Sequence, residues 1–132
     1  MTVLFILTLL VAPPDGAGFQ YPISCAVDAD GTIYALDRGL PGIWSLEAGK
    51  APAVLLRGGT VFRAPLNAPG CLALIPTAGA GAGALLVGDS ATRRIYQVDL
   101  DDDPIRPTPF FPGEEKPGRL GVPSALAVRA DG

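Results

Sequence analysis

Short apolar runs separated by turn-forming residues set the hydrophobic pattern of this chain. Residues 33–36 and 43–46 are two such runs, and the segments between runs are rich in Gly, Pro and Asp. Short runs bounded in this way are typical of strands joined by tight turns. The pattern therefore predicts an all-β chain.

The same pattern recurs along the chain. A motif of the form P-x-x-x-A-(V/L) begins at Pro22, Pro69 and Pro123. Two further segments follow it in the same order in both full copies. They are residues 33–37, which match 85–89, and residues 43–46, which match 95–98. Three matched segments in one order predict an internal repeat of about 50 residues.

Each repeat reads as four strands. The fourth is predicted at 53–56 in the first copy and at 108–111 in the second, where the prolines in and beside the run favour an edge strand. The first strands are apolar with small alanines, and we expect them to be buried on both faces. The second copy is longer, and we place five extra residues in its first turn, between Ala73 and Leu85. A four-stranded unit of about this length predicts a blade of a β-propeller.

The residues 22–37 (PISCAVDADGTIYALD) and 89–98 (DSATRRIYQV) resemble the NHL-repeat propellers and the related six-bladed gluconolactonase and SMP-30 (regucalcin-like) group. The resemblance covers 21–132 and implies a six-bladed β-propeller. It also implies that Asp30 and Gly31 form a hairpin turn, and that Asp37 and Asp89 end the second strand of their blades.

The resemblance and the repeat give the domain organisation. It comprises about two four-stranded blades and the first strand of a third, at about 21–66, 67–120 and 121–132. A closed ring needs more blades than this. We therefore expect the N-terminal part of a longer protein, and the alternative is that two-blade chains assemble into a ring.

The N-terminus has the features of a signal peptide. Residues 3–12 are apolar, too few to cross a bilayer, and Gly16 and Gly18 suit cleavage before Phe19. We predict a signal peptide at 1–18, export of residues 19–132 to the periplasm or outside the cell, and no membrane span after cleavage. The alternative is that residues 3–12 form a buried first strand.

Composition narrows the function classes. Apolar residues make up 48% of the chain and charged residues 17%, and the formal net charge is −3. The ten basic residues form no stripe, which argues against nucleic acid as a partner. Histidine is absent from the sequence, so no imidazole of this chain can serve as a base or metal ligand.

Four residues are candidates for ligand binding. Asp37 and Asp89 recur at one position of the repeat, either to contact a ligand or to bind backbone N–H groups and fix a turn. Recurrence favours the turn role, because a catalytic residue is usually unique. Arg38 and Arg93 do not recur in this way and are therefore better ligand candidates. No metal site is predicted, since the D-x-D-x-D pattern at 99–103 lacks the Gly and Glu of an EF-hand and suits a solvated turn.

The two cysteines are compatible with a disulfide in an exported protein. In the aligned repeats, however, Cys25 and Cys71 differ by one register step and face opposite sides of their strands. We therefore predict two buried free thiols.

Two functions fit the sequence. The first is an exported binding or scaffold protein that takes a protein, glycan or small-molecule ligand on the propeller face. The second is a metal-dependent hydrolase of the gluconolactonase type acting on a sugar lactone, with a divalent metal such as Ca²⁺ as cofactor. The resemblance implies an early glutamate as metal ligand in that family, and Glu47 lies instead in a predicted turn. This difference favours binding.

Overall fold

The strands lie where the apolar runs predict them. The computed structural model describes residues 18–62, 64–77, 81–111 and 121–129, so the predicted signal segment falls almost wholly outside the described residues. The strands of the described part are β1 (Pro22–Val27), β2 (Ile33–Asp37), β3 (Gly42–Leu46), β4 (Ala53–Arg57), β5 (Pro69–Ile75), β6 (Ala84–Asp89), β7 (Arg94–Asp99) and β8 (Pro107–Phe111).

The eight strands form two antiparallel sheets, each of four strands in chain order, β1-β2-β3-β4 and β5-β6-β7-β8. Each sheet is thus a meander built from one copy of the sequence repeat. The described residues contain no helix long and apolar enough to span a bilayer. The all-β prediction and the two four-stranded units are confirmed.

The two sheets share their register and their irregularities. Pro22 lies opposite Asp37, Pro69 lies opposite Asp89, and a bulge follows the proline in both pairs. A second bulge separates Ile43 from Trp44 in the first sheet and recurs between Ile95 and Tyr96 in the second. Bulges bend a strand and fix its pairing. Because both occur at equivalent positions, the sequence repeat is also a structural repeat.

The extra residues of the second unit are divided between its first turn and its strands. The β5–β6 connection covers 76–83, against 28–32 for β1–β2, and the ladder gains the pair of Ile75 with Ala84. The prediction that all of these residues lie in the turn is therefore partly wrong. Alanine and isoleucine can extend an antiparallel ladder at little cost, so the hairpin lengthens before it turns.

One core joins the two sheets. Strands β1 and β2 of the first sheet pack against β5 of the second. Tyr34, Leu36 and Ile43 from the first sheet meet apolar side chains of the second sheet. The second-sheet side chains are Leu72, Leu85, Val87, Tyr96 and Val98, and Leu66 joins them from the β4–β5 connection. The strands β2 and β6 are the most buried, since every one of their residues is buried.

The first strands differ in burial, which corrects one prediction. β5 is largely buried, whereas β1 is partly exposed along its length and its Cys25 is exposed. The first strand is a sheet edge in both units, and β1 and β5 contact each other, but Pro123 lies against β5 as well, where a Cβ on Gly70 would come within 3.1 Å of its carbonyl oxygen. Both cysteines are free, as predicted, and Cys71 is buried as predicted. The expectation of a buried Cys25 is wrong because β1 lacks the second cover that β5 has.

The other face of the first sheet carries a second apolar cluster. It consists of Ile33, Ala35, Trp44 and Leu46. The ring of Phe19 lies 5.1 Å from that of Trp44, centroid to centroid, tilted by 53°. Such tilted pairs are favourable for aromatic rings. The first sheet therefore packs apolar side chains on both faces.

Residues 121–129 lie on the far face of the second sheet without forming a strand. Pro123 sits so close to Gly88 that a Cβ there would come within 2.8 Å of the proline ring. The sequence predicts the first strand of a third unit here. No described strand pairs with this segment, and an isolated segment has no ladder to join.

The connections define two ends of the molecule. At the aspartate end, β1 and β5 begin and β2 and β6 finish at Asp37 and Asp89. At the turn end lie the β1–β2 and β5–β6 connections, and residues of both line one groove. The two turns therefore share a side of the molecule, and the two aspartates share the opposite side.

Candidate functional site

Asp37 is fully buried at the end of β2, and its carboxylate accepts four backbone hydrogen bonds. The N–H groups of Gln20 and Tyr21 donate to it at 2.7 and 2.9 Å. Those of Gly39 and Leu40 donate at 2.8 and 3.2 Å. Asp37 thus joins the segment that enters β1 to the turn that leaves β2.

The surroundings of Asp37 act on its pKa in opposite directions. Burial disfavours the charged form and raises the pKa, whereas the four backbone N–H donors favour the carboxylate and lower it. The donors prevail, and the pKa of Asp37 lies below its ordinary value. Asp37 therefore remains a carboxylate at neutral pH and has no role as a proton donor there.

Asp89 occupies the same place in the second unit with fewer bonds. It is fully buried, accepts the N–H of Ala68 at 2.8 Å and accepts the hydroxyl of Thr92 at 2.7 Å. An equivalent backbone hydrogen bond follows the aspartate in each unit. Arg38 N donates to Tyr21 O at 2.9 Å in the first, and Ser90 N donates to Ala68 O at 3.0 Å in the second. Both aspartates fix the entry to their unit, which is the turn role that recurrence favours.

The side chains of the two candidate arginines lie at the aspartate end and take no part in the hydrogen bonds of the two aspartates. Arg38 is exposed and directly follows Asp37. Arg93 is exposed in the β6–β7 turn, where its φ of 56° is in the left-handed region. The topology therefore brings all four predicted residues to one end of the two sheets. The aspartates are buried below this surface, and the arginines lie on it.

Exposed aromatic and apolar residues at this end are a feature that the sequence pattern did not single out. They occur where β1 is entered, in the β4–β5 connection, at the end of β8, and just before Pro123. They are Tyr21, Val61, Phe62, Phe110, Phe111 and Val122. The available signal was positional: each lies just before a predicted first strand, at the end of a fourth strand, or in the connection between the two.

The turn end holds a groove of about 230 Å³ between the two units. Asp28, Ala29 and Asp30 line one side, and Leu74, Pro76, Thr77, Gly81 and Ala82 line the other. Asp101, from the 99–103 turn, accepts the N–H of Ala82 at 3.2 Å through both carboxylate oxygens. Residues 101–103 are exposed, as predicted for a solvated turn, while Asp99 is the last residue of β7.

Asp28 fixes the hairpin turn that the resemblance places at Asp30 and Gly31. One Asp28 oxygen accepts the N–H groups of Asp30 and Thr32, each at 2.9 Å, and the other accepts the Tyr34 hydroxyl at 3.2 Å. Gly31 has a φ of 85°, which a side-chain-bearing residue adopts only with strain. Burial first, and then the Asp28 charge, raise the pKa of Tyr34 to about 12.

Exposed arginine and apolar side chains are the groups that the aspartate end offers to a ligand. Within the described residues, no group of three or more Asp, Glu, Cys or His side chains is placed to hold a metal ion. The carboxylates of Asp28, Asp37 and Asp89 are occupied by hydrogen bonds within the fold. Neither family models nor curated proteins give a match to this chain.

Proposed function

We propose that this chain forms two neighbouring blades of an NHL-like β-propeller that is exported and acts as a binding or scaffold protein. The aspartate end is the propeller face that takes the ligand, and that ligand is a protein, a glycan or a small molecule. We assign residues 121–129 to the beginning of a third blade.

The observation that carries this proposal is the equivalence of the two meanders. They share register, both bulges and the buried aspartate that fixes the entry to each unit. They also pack with their first strands together, since β1 and β2 contact β5. Units that repeat in this way and meet at their inner strands are how a propeller is assembled.

The arrangement of connections supports binding at the aspartate end. In repeat proteins, insertions and exposed side chains on one face commonly form the recognition surface. Here the long β4–β5 connection and the turns with Arg38 and Arg93 all lie at this end, on top of aspartates that hold the backbone in place. A rigid base under exposed side chains lowers the ordering cost of binding.

Binding is tested on the full chain with three separate probes: an immobilised glycan array, a pool of short peptides, and glucono-δ-lactone with Ca²⁺. The proposal expects saturable binding of one probe, lost in the double variant Arg38→Glu/Arg93→Glu and kept in Arg106→Glu, whose arginine lies at the turn end. Binding that survives the double variant and is lost in Arg106→Glu would refute it. Turnover of the lactone would favour the hydrolase.

Export is tested separately by fusing bacterial alkaline phosphatase to residue 132 of the full chain. That enzyme is active only after export, so we expect activity from the full fusion and none when residues 3–12 are deleted. Equal activity of the two fusions would contradict export through this segment.

A further inference from the structure

The aspartate end carries most of the exposed large apolar side chains of the described residues. Phe62 and Val61 are 78% and 73% exposed, and Val122 is 71% exposed. Tyr21, Phe110 and Phe111 lie at the same end, while Val27 alone among these exposed side chains lies at the turn end. Exposed apolar groups gathered in this way mark an interaction surface.

The charges of the described residues are distributed unevenly between the two ends, although Lys50 and Arg106 lie at the turn end. Arg38, Arg57, Arg93 and Arg94 lie at the aspartate end, where Gly42 pairs with Arg57 and Asp89 pairs with Arg94. Among the described residues, the carboxylates at this end are Asp37 and Asp89, both buried. The exposed carboxylates of the described residues lie instead at the turn end: Asp30, Glu47, Asp101, Asp102 and Asp103.

From these two observations we propose that the aspartate end is a docking surface for an acidic protein segment that also carries apolar side chains. The inference rests on the proposed binding function and names the class of its ligand. The exposed arginines provide charge complementarity, and the exposed aromatic and valine side chains provide the apolar contact. The buried aspartates offer no exposed negative charge to oppose an acidic partner.

The composition of this end favours a protein over a membrane surface. Among the described residues there, the cations are all arginine and the exposed rings are Tyr and Phe. Arginine and aromatic residues are enriched in protein interfaces, while lysine is depleted. A surface for anionic lipid uses lysine and arginine alike, because it responds to charge density.

The full chain is tested with a labelled pool of short peptides that combine Asp and Glu with Phe, Tyr and Leu. A matched pool replaces the acids by Asn and Gln. We expect saturable binding of the acidic pool, at least about tenfold weaker binding of the neutral pool, and weakening as salt is raised. No binding of the acidic pool, or equal binding of both pools, would overturn the inference.

Variants locate the surface. Arg38→Glu/Arg57→Glu and Val61→Ser/Phe62→Ser are each expected to weaken binding of the acidic pool about tenfold. Arg106→Glu and Val27→Ser, matched exposed residues at the turn end, are expected to change it by less than about twofold. Circular dichroism confirms that each variant is folded. Equal effects at the two ends would refute the placement.

Vesicles of phosphatidylcholine and phosphatidylserine serve as the alternative probe. Binding to them without binding to the acidic peptides would replace the protein partner by a membrane. If a neutral glycan binds and is lost only in the aspartate-end variants, the proposed function stands and this inference fails. If every probe binds only through the turn end, both fail.

Discussion

Replacement of Asp37 by alanine tests how the repeat unit is held together. The substitution removes the acceptor of four backbone N–H groups, from Gln20, Tyr21, Gly39 and Leu40. These groups join the entry of β1 to the β2–β3 turn. Without the carboxylate, each N–H must find water or remain unsatisfied.

The magnitude follows from the number of donors and their exposure. A buried polar group left without a partner costs about 1–3 kcal/mol, and hydrogen bonds to a charged group are at the stronger end. Gln20, Tyr21 and Gly39 are exposed residues, so water can satisfy part of the loss. We therefore expect Asp37→Ala to lower the free energy of unfolding by roughly 2–4 kcal/mol.

The equivalent change in the second unit is the internal comparison. Asp89 accepts one backbone N–H and one hydroxyl, so Asp89→Ala is expected to cost about 1–2 kcal/mol. Asp102→Ala, at an exposed site in the β7–β8 turn, is expected to change stability by less than about 0.5 kcal/mol.

Urea unfolding followed by circular dichroism measures all three variants at neutral pH. We predict that the loss of stability is largest for Asp37→Ala, smaller for Asp89→Ala and smallest for Asp102→Ala. A loss below about 1 kcal/mol for Asp37→Ala, or one no larger than that for Asp89→Ala, would refute the role of the four donors.

Four further predictions follow from the same contacts. Because the pKa of folded Asp37 is lowered, its contribution to the free energy of unfolding is present above the ordinary carboxyl pKa of about 4 and is lost as the pH falls below that value. Asp37→Asn should therefore reduce the loss of stability towards acid pH in urea unfolding at pH 3–6. An unchanged dependence of stability on pH in that variant would contradict the prediction. A Cβ on Gly88 would lie 2.6 Å from Cys71 Sγ, so Gly88→Ala should lower the free energy of unfolding in urea by about 1–3 kcal/mol. Gly121→Ala, where the added Cβ would meet nothing within 4 Å, should lower it little. Equal effects of the two variants would argue against the close contact. Cys25 should react with Ellman's reagent in the native protein long before Cys71, which is buried and whose pKa burial raises; simultaneous reaction would show that the second sheet opens. In an absorbance titration, Tyr34 should ionise near pH 12, and at lower pH in the variant Asp28→Asn. An unchanged Tyr34 titration in that variant would exclude the Asp28 charge as a cause.

The strands were predictable because the local signals agree. Apolar runs and turn glycines predict the strands of each unit, and the recurring prolines mark where each first strand begins. The edge position of β8 follows from Pro107 and Pro109, since proline cannot donate to a ladder. The part of the fold carried by periodicity and turn chemistry was therefore accessible from the sequence.

The misassigned features depend on contacts between units. Burial of β5 and exposure of β1 depend on which sheet covers which strand, and the pattern within one repeat is the same for both. Asp28 was not singled out from the sequence, and part of its role depends on the Tyr34 hydroxyl, which reaches the carboxylate across the hairpin of the first unit. The exposed surface at the aspartate end combines residues from separate connections, and only the three-dimensional arrangement brings these together.

Two sheets that are neighbouring propeller blades differ from two sheets of a sandwich in how the distance between them changes from the inner to the outer strands. Neighbouring propeller blades meet at their inner strands and separate outward, whereas the sheets of a sandwich stay about 10 Å apart throughout. In a six-bladed ring, neighbouring blades are about 60° apart, and the outer strand of each blade lies about 14 Å from its inner strand. The outer strands of two neighbouring blades are therefore ~14 Å farther apart than their inner strands.

Spin labels measure this divergence directly. In a Cys25→Ser/Cys71→Ala background, one pair of labels replaces Asp30 and Thr77, beside the groove at the inner strands. A second pair replaces Ala53 on β4 and Thr108 on β8, the outer strands. The propeller arrangement predicts that the outer labels are about 14 Å farther apart than the inner pair. Equal distances for the two pairs would contradict it.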